Sequence, residues 1–168
     1  MTRSRAGGAP ANAEPIRRSV TVPVDPERAF DLFTLQMGTW WPLDSYSRAV
    51  SEFADEDVVA ARLEFQARVG GALLEHMSDG RVLPWAEVSA WNPPLRVVMA
   101  WRPHPFPEPA TEVSVTFAAR DGATLVEVEH RGWERLSPDF RAELYAVYVR
   151  GWTATLACFT AALDSAPN

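Results

Sequence analysis

The stretch Val88–Pro109, VSAWNPPLRVVMAWRPHPFPEP, decides how the chain folds. Two strand-like runs, ending in Trp91 and Trp101, are separated by Asn92-Pro93-Pro94, and a looser proline cluster holding His104 follows. Proline has no N–H to give to a strand ladder, so a Pro-Pro pair between apolar runs marks a turn. In the second run Leu95, Val97, Met99 and Trp101 alternate with Arg96, Val98, Ala100 and Arg102. Alternate side chains of a strand face opposite sides. The arginines belong in water, so Trp101 points into a core. Two strands joined by a strict turn begin an antiparallel meander.

The same texture extends both ways. Upstream, VVAARLEFQAR (58–68), ALLEHM (72–77) and LPWAEVSAW (83–91) read as strands joined at Gly70-Gly71 and Ser78-Asp79-Gly80. Downstream, TEVSVTFAA (111–119) and ATLVEVEHR (123–131) flank Arg120-Asp121-Gly122, a hairpin connection. The inward sets are Val113, Val115 and Phe117, then Val126, Val128 and His130, because Glu127 and Glu129 belong outside. Ahead of these, Ile16–Val24 alternates as a strand. Asp25 and Pro26 open a short helix to about Leu35, GTWWP (38–42) adds a helical turn, and the chain is irregular to Asp57. Ser137–Ser165 is a long amphipathic helix, with Phe140, Leu144, Tyr148, Trp152, Thr155, Phe159 and Leu163 on one side. At 1.5 Å per residue it spans roughly 40 Å. The class is α+β: a curved antiparallel sheet of six to seven strands around a long C-terminal helix, with two short helices after the first strand. Residues 1–14 read as a disordered tail and 15–165 as one domain.

Composition excludes several functions. The 168 residues carry a net charge of −6 and their basic residues are all arginine, scattered among acids, so no nucleic-acid surface is expected. Cys158 is the single cysteine, which excludes an intrachain disulfide, and the three histidines lack ligand spacing, so no metal is expected. Neither a nucleotide-binding nor a nucleophile-elbow motif is present, so no cofactor is expected. No apolar run has the length of a membrane span, no signal peptide is legible, and the cytoplasm is the expected compartment. An exposed sheet edge could pair two copies, although Pro23 and the arginines oppose it.

PVDPERAFDLFT, WWP, VGGALLEHMSDG, WNPPLRVVMAW, TEVSVTF, DGATLVEVEHRGW and GWTATLACFTAAL occur in this order from Ile16 to Leu163. Together they resemble the SRPBCC (START/Bet v-like, helix-grip) superfamily, in the branch homologous to the activator of the heat-shock protein 90 ATPase. The resemblance implies a helix-grip fold with a cavity between sheet and final helix. It implies no single activity, because the superfamily spans lipid carriers, receptors, cyclases and co-chaperone domains.

The candidate ligand-binding set is Glu75, Trp85, Met99, Trp101, Val115, Phe117, Val128, His130, Tyr148 and Trp152. Trp101 and Met99 either line a pocket or pack the core. Tyr148, one turn from Trp152, can present a hydroxyl while burying its ring. His130 either meets a polar ligand group or is satisfied by a neighbouring hydroxyl. Glu75 and His76 face opposite sides, and whichever is inward needs a partner. Gly151 lets the helix approach a strand, and His104 is solvated. The expected entrance lies under the link 131–137. The expected partner is a small apolar or aromatic molecule. The alternatives are a cavity enzyme using His130 or Glu75 as acid or base, and a co-chaperone-like interaction domain.

Overall fold

The computed structural model describes residues 11–164. Seven antiparallel strands form one sheet: β1 (Ile16–Val22), β2 (Ala60–Phe65), β3 (Ala72–Met77), β4 (Val82–Asn92), β5 (Arg96–Trp101), β6 (Thr111–Arg120) and β7 (Ala123–Arg131). Their order is β1-β7-β6-β5-β4-β3-β2, so six consecutive strands form a meander and the first joins the last. Register slips at Ala60/Arg62, Leu73/Leu74 and Val88/Ala90 concentrate bulges in β2–β4. Bulges sharpen twist, and the sheet curls there around the helices.

The Pro-Pro turn is closed by the Leu95 N–H donating to the Asn92 carbonyl at 2.8 Å. Gly71 serves close approach, since a Cβ there would lie 2.2 Å from the Gln66 carbonyl oxygen. Helix α1 (Pro26–Phe33) begins as expected, with the Asp25 carboxylate accepting from the Arg28 N–H at 2.8 Å. Two corrections follow it. The extra helical turn is Met37–Thr39 rather than 38–42, and a second helix, α2 (Arg48–Glu52), lies in the stretch read as irregular. Ser47 caps α2 through the Val50 N–H, and Arg48 and Glu52 pair one turn apart.

Helix α3 (Pro138–Asp164) lies across the concave face and buries Trp152, Thr155, Leu156, Phe159 and Leu163. Arg18 shares the inward parity of β1 and reaches α3, donating to the Val149 carbonyl at 3.0 Å and the Thr153 hydroxyl at 3.2 Å. The core has two ends. Under α1, Phe30 and Phe33 pack edge-on against Phe117, with centroids at 5.1 and 5.8 Å. At the other end Trp41, Trp85, Trp101, Trp133, Tyr148 and Trp152 pack ring against ring. Burying one large apolar side chain is worth about 1.5–3 kcal/mol, so both ends hold α3 to the sheet.

Of the expected alternation in β5, Val97, Met99 and Trp101 are buried, but Leu95 is 63% exposed because it precedes the strand in the turn. Val98 is buried too, on the opposite face. The expected tail falls mostly outside the described residues. At its end Ala11–Ala13 forms a 3-10 turn, and Ala13 is buried. No helix among the described residues is long and apolar enough to cross a membrane.

Candidate functional site: an aromatic cavity between sheet and helix

A cavity of about 230 Å³ lies where β4 begins and β5 ends, beneath α2 and the middle of α3. Four indoles wall it: Trp41 from the segment after α1, Trp85 from β4, Trp101 from β5 and Trp152 from α3. Their centroids form a closed set, from 5.3 Å for Trp41–Trp85 to 6.2 Å for Trp41–Trp101. Trp101 ends its strand on the inward parity, and Trp85 lies beside Ala86, which pairs with Trp101. The mouth lies between α2 and α3, where the lining residues Val50 and Val147 are each 44% exposed. The expected entrance under residues 131–137 is closed. Trp133 and Leu136 are buried there, and no residue of that link lines the cavity.

All four indole N–H groups are engaged by the protein. Trp41 Nε1 donates to the Tyr46 carbonyl (2.7 Å) and Trp85 Nε1 to Glu75 Oε2 (2.7 Å). Trp101 Nε1 donates to Tyr148 Oη (2.6 Å) and Trp152 Nε1 to His130 Nδ1 (3.0 Å). The wall offered to a ligand is therefore carbon and π surface. Tyr148 Oη, an acceptor from Trp101, keeps its own proton, and no acceptor among the described residues takes it. Burial pushes the tyrosine pKa above its ordinary range, so the hydroxyl stays protonated.

His130 stands behind the wall. It is fully buried, with Trp133 on one side at 4.3 Å and Tyr148 edge-on at 4.7 Å. Because Nδ1 accepts from Trp152, the proton sits on Nε2 and is donated to the Thr111 hydroxyl at 2.7 Å. The Thr111 hydroxyl donates in turn to the Trp101 carbonyl at 3.2 Å. This chain ties Trp152 to Trp101 around the back of the cavity. Desolvation lowers the imidazole pKa to about 3, so His130 is neutral at ordinary pH. Gly132, at φ 89°, makes the turn that brings Trp133 back over the ring.

Glu75 is the inward member of its pair. It is fully buried and accepts from the backbone N–H groups of Arg48 (2.8 Å) and Ala49 (2.9 Å), besides Trp85. The carboxylate thus anchors the first turn of α2, where helical N–H groups lack partners. His76 faces outward and bonds Glu64 at 2.7 Å. Arg48 lines the cavity and is 7% exposed, its guanidinium held by Glu52 and by the Pro84 carbonyl at 3.0 Å.

Of the sequence candidates, Trp85, Trp101, Tyr148 and Trp152 line the cavity. Glu75 and His130 bond to lining residues from behind. Met99, Val115, Phe117 and Val128 face inward as expected but belong to the packed core outside the lining. Gly151 opposes Tyr46 across the cavity rather than a strand, and a Cβ there would meet Tyr46 Cε1 at 3.6 Å. His104 is not solvated but half-buried, stacked on Phe106 and edge-on to Phe140, and desolvation lowers its pKa. Sequence reasoning missed Trp41, Tyr46 and Arg48. The first lay in the quoted WWP, and the Ser47 cap with Arg48 and Glu52 four apart was the legible trace of α2.

Residues 23–164 match the model of the family described as Activator of Hsp90 ATPase homolog 1-like protein. Among solved structures, the chain is similar to protein MLL2253 from Mesorhizobium loti, with 18% identity, TM-score 0.63, and coverage of 92% of this chain and 100% of that one. It is also similar to protein CV1439 from Chromobacterium violaceum, with 23% identity, TM-score 0.58, and coverage of 92% and 98%. These two show the fold alone. A third, the anthrahydroquino-gamma-pyrone synthase Txn09, is 28% identical at a TM-score of 0.57, covering 87% of this chain and 94% of that one. Among curated proteins none matches.

Proposed function

The chain belongs to the family of Activator of Hsp90 ATPase homolog 1-like proteins, and from that premise we propose that it binds a small apolar or aromatic molecule in the cavity under α3. One observation carries the reading: four indoles wall the cavity while their N–H groups are all satisfied by the protein. Such a wall offers dispersion and ring stacking and few competing hydrogen bonds to water. Its similarity to Txn09, whose name is that of a pyrone synthase, supports a ring-bearing ligand.

That similarity also favours a second reading, a cavity enzyme. The sequence-level candidates for acid and base weigh against it. Glu75 and His130 are both consumed by bonds that hold the wall together, so an enzyme here would work by positioning and by Tyr148.

Native mass spectrometry of the purified protein, with naphthalene and chromone each titrated against tryptophan fluorescence, tests the proposal. Saturable quenching at one equivalent, or a co-purified aromatic mass, is the expected result. A protein that carries no small molecule and whose emission neither naphthalene nor chromone changes would overturn it.

A further inference from the structure

Resting on that reading, we infer that the cavity selects an uncharged fused-ring aromatic bearing a carbonyl-type acceptor, and that the Tyr148 hydroxyl is the donor this acceptor meets. Size comes first. An apolar cavity of about 150 Å³ holds one benzene ring, so about 230 Å³ suits two fused rings.

Polarity follows from counting donors. Every indole N–H is spent inside the protein. Thr155 donates its hydroxyl to the Gly151 carbonyl, and Ser45 and Ser51 are solvent-exposed. The hydroxyls of Tyr46, Ser47 and Tyr148 have no acceptor among the described residues, Ser47 using its oxygen to accept from the Val50 N–H. Of these three, Tyr148 is the one bonded to an indole of the wall. Trp101 Nε1 occupies a lone pair of its oxygen at 2.6 Å and the O–H bond has no acceptor among the described residues. A ligand that fills the cavity without an acceptor leaves this donor dry, which is costly, whereas a carbonyl satisfies it.

Charge is excluded by the remaining wall. Arg48, the charged residue of the lining, is neutralised by both oxygens of Glu52. A carboxylate or ammonium on the ligand would enter among indoles with no free counter-charge.

Three probes on the full-length protein test this: naphthalene, chromone (two fused rings with a carbonyl) and 2-naphthoate. Tyr148→Phe should weaken chromone by about three- to tenfold relative to naphthalene, whose affinity should hold or rise once the unpaired hydroxyl is gone, and 2-naphthoate should bind worst of the three. Infrared difference spectra of wild-type protein give a readout independent of the variant's folding. The carbonyl band of bound chromone should lie below its position in an aprotic solvent. A band at the aprotic position, equal losses for chromone and naphthalene, or tight 2-naphthoate binding would overturn this inference while leaving the cavity reading standing. If neither neutral probe binds wild-type protein, the cavity reading itself fails.

Discussion

His130 shows how a polar residue can shape an apolar site without touching its contents. Its two nitrogens have opposite roles, one accepting from Trp152 and the other donating to Thr111, and only the neutral ring can do both. In the unfolded chain a histidine titrates near 6.5, whereas in the fold the value falls to about 3. Between these values the unfolded state binds more protons, so stability falls as pH falls. It is fully present above about pH 6.5 and is lost progressively toward pH 3. From pH 7 to 4.5 this residue alone should remove about 2–3 kcal/mol. Urea melts of wild type and His130→Gln at both pH values check this. The variant should be less stable at pH 7 but have a shallower acid slope. The sequence disclosed that His130 faces inward, by the parity of Val126 and Val128. It could not disclose the partners, which come from β6 and α3 and meet only in three dimensions.

At the scale of elements, α2 and α3 form the jaws of the mouth. A five-residue helix is unstable alone, and α2 persists because the Glu75 carboxylate takes two of its first N–H groups. Glu75→Gln places an amide N–H₂ where acceptors are needed, so it should cost about 1–3 kcal/mol. It should also loosen α2 first, seen as faster amide exchange at Arg48 and Ala49 than in the sheet. Helix α3 predicts the opposite sign. Gly151→Ala adds a methyl at an ordinary contact distance from Tyr46 and relieves the entropic penalty of a mid-helix glycine. It should raise stability by about 0.5–1 kcal/mol in a thermal melt. The α3 stripe was legible because its 3.6-residue period runs the length of the helix. Helix α2 left only its Ser47 cap and the Arg48–Glu52 spacing as a trace, because one turn has no period to read and its anchor is 26 residues away in sequence.

For the whole molecule, parity told which face each strand residue takes but not which end of the sheet. Trp101 pairs with Thr111, near the Ile16–His130 pairing, whereas Phe117 pairs with Val126 at the α1 end. The same inward phase therefore puts Trp101 in the cavity wall and Phe117 in solid core. That longitudinal position depends on where α1, α2 and α3 come to rest, which no local pattern records. Trp101→Ala removes a side chain that is 3% exposed and bonded to Tyr148. It should cost about 3–5 kcal/mol in denaturant unfolding, with ligand affinity lost even under conditions where the variant stays folded.

The cluster of tryptophans has an optical consequence as well. With Trp40 lying 5.8 Å from Trp41, five indole rings form one connected set with centroids near 6 Å. Transition dipoles at that spacing do not absorb independently. They mix into exciton states spread over several rings, and chirally arranged rings split into bands of opposite sign. Circular dichroism of the native protein should therefore carry an intense aromatic couplet superimposed on the backbone signal, distorting any helix content read from it. Phenylalanine at Trp41, Trp85, Trp101 or Trp152 should each collapse much of that couplet. A spectrum that changed only in proportion to the number of indoles removed would mean that the rings are not coupled as their spacing requires.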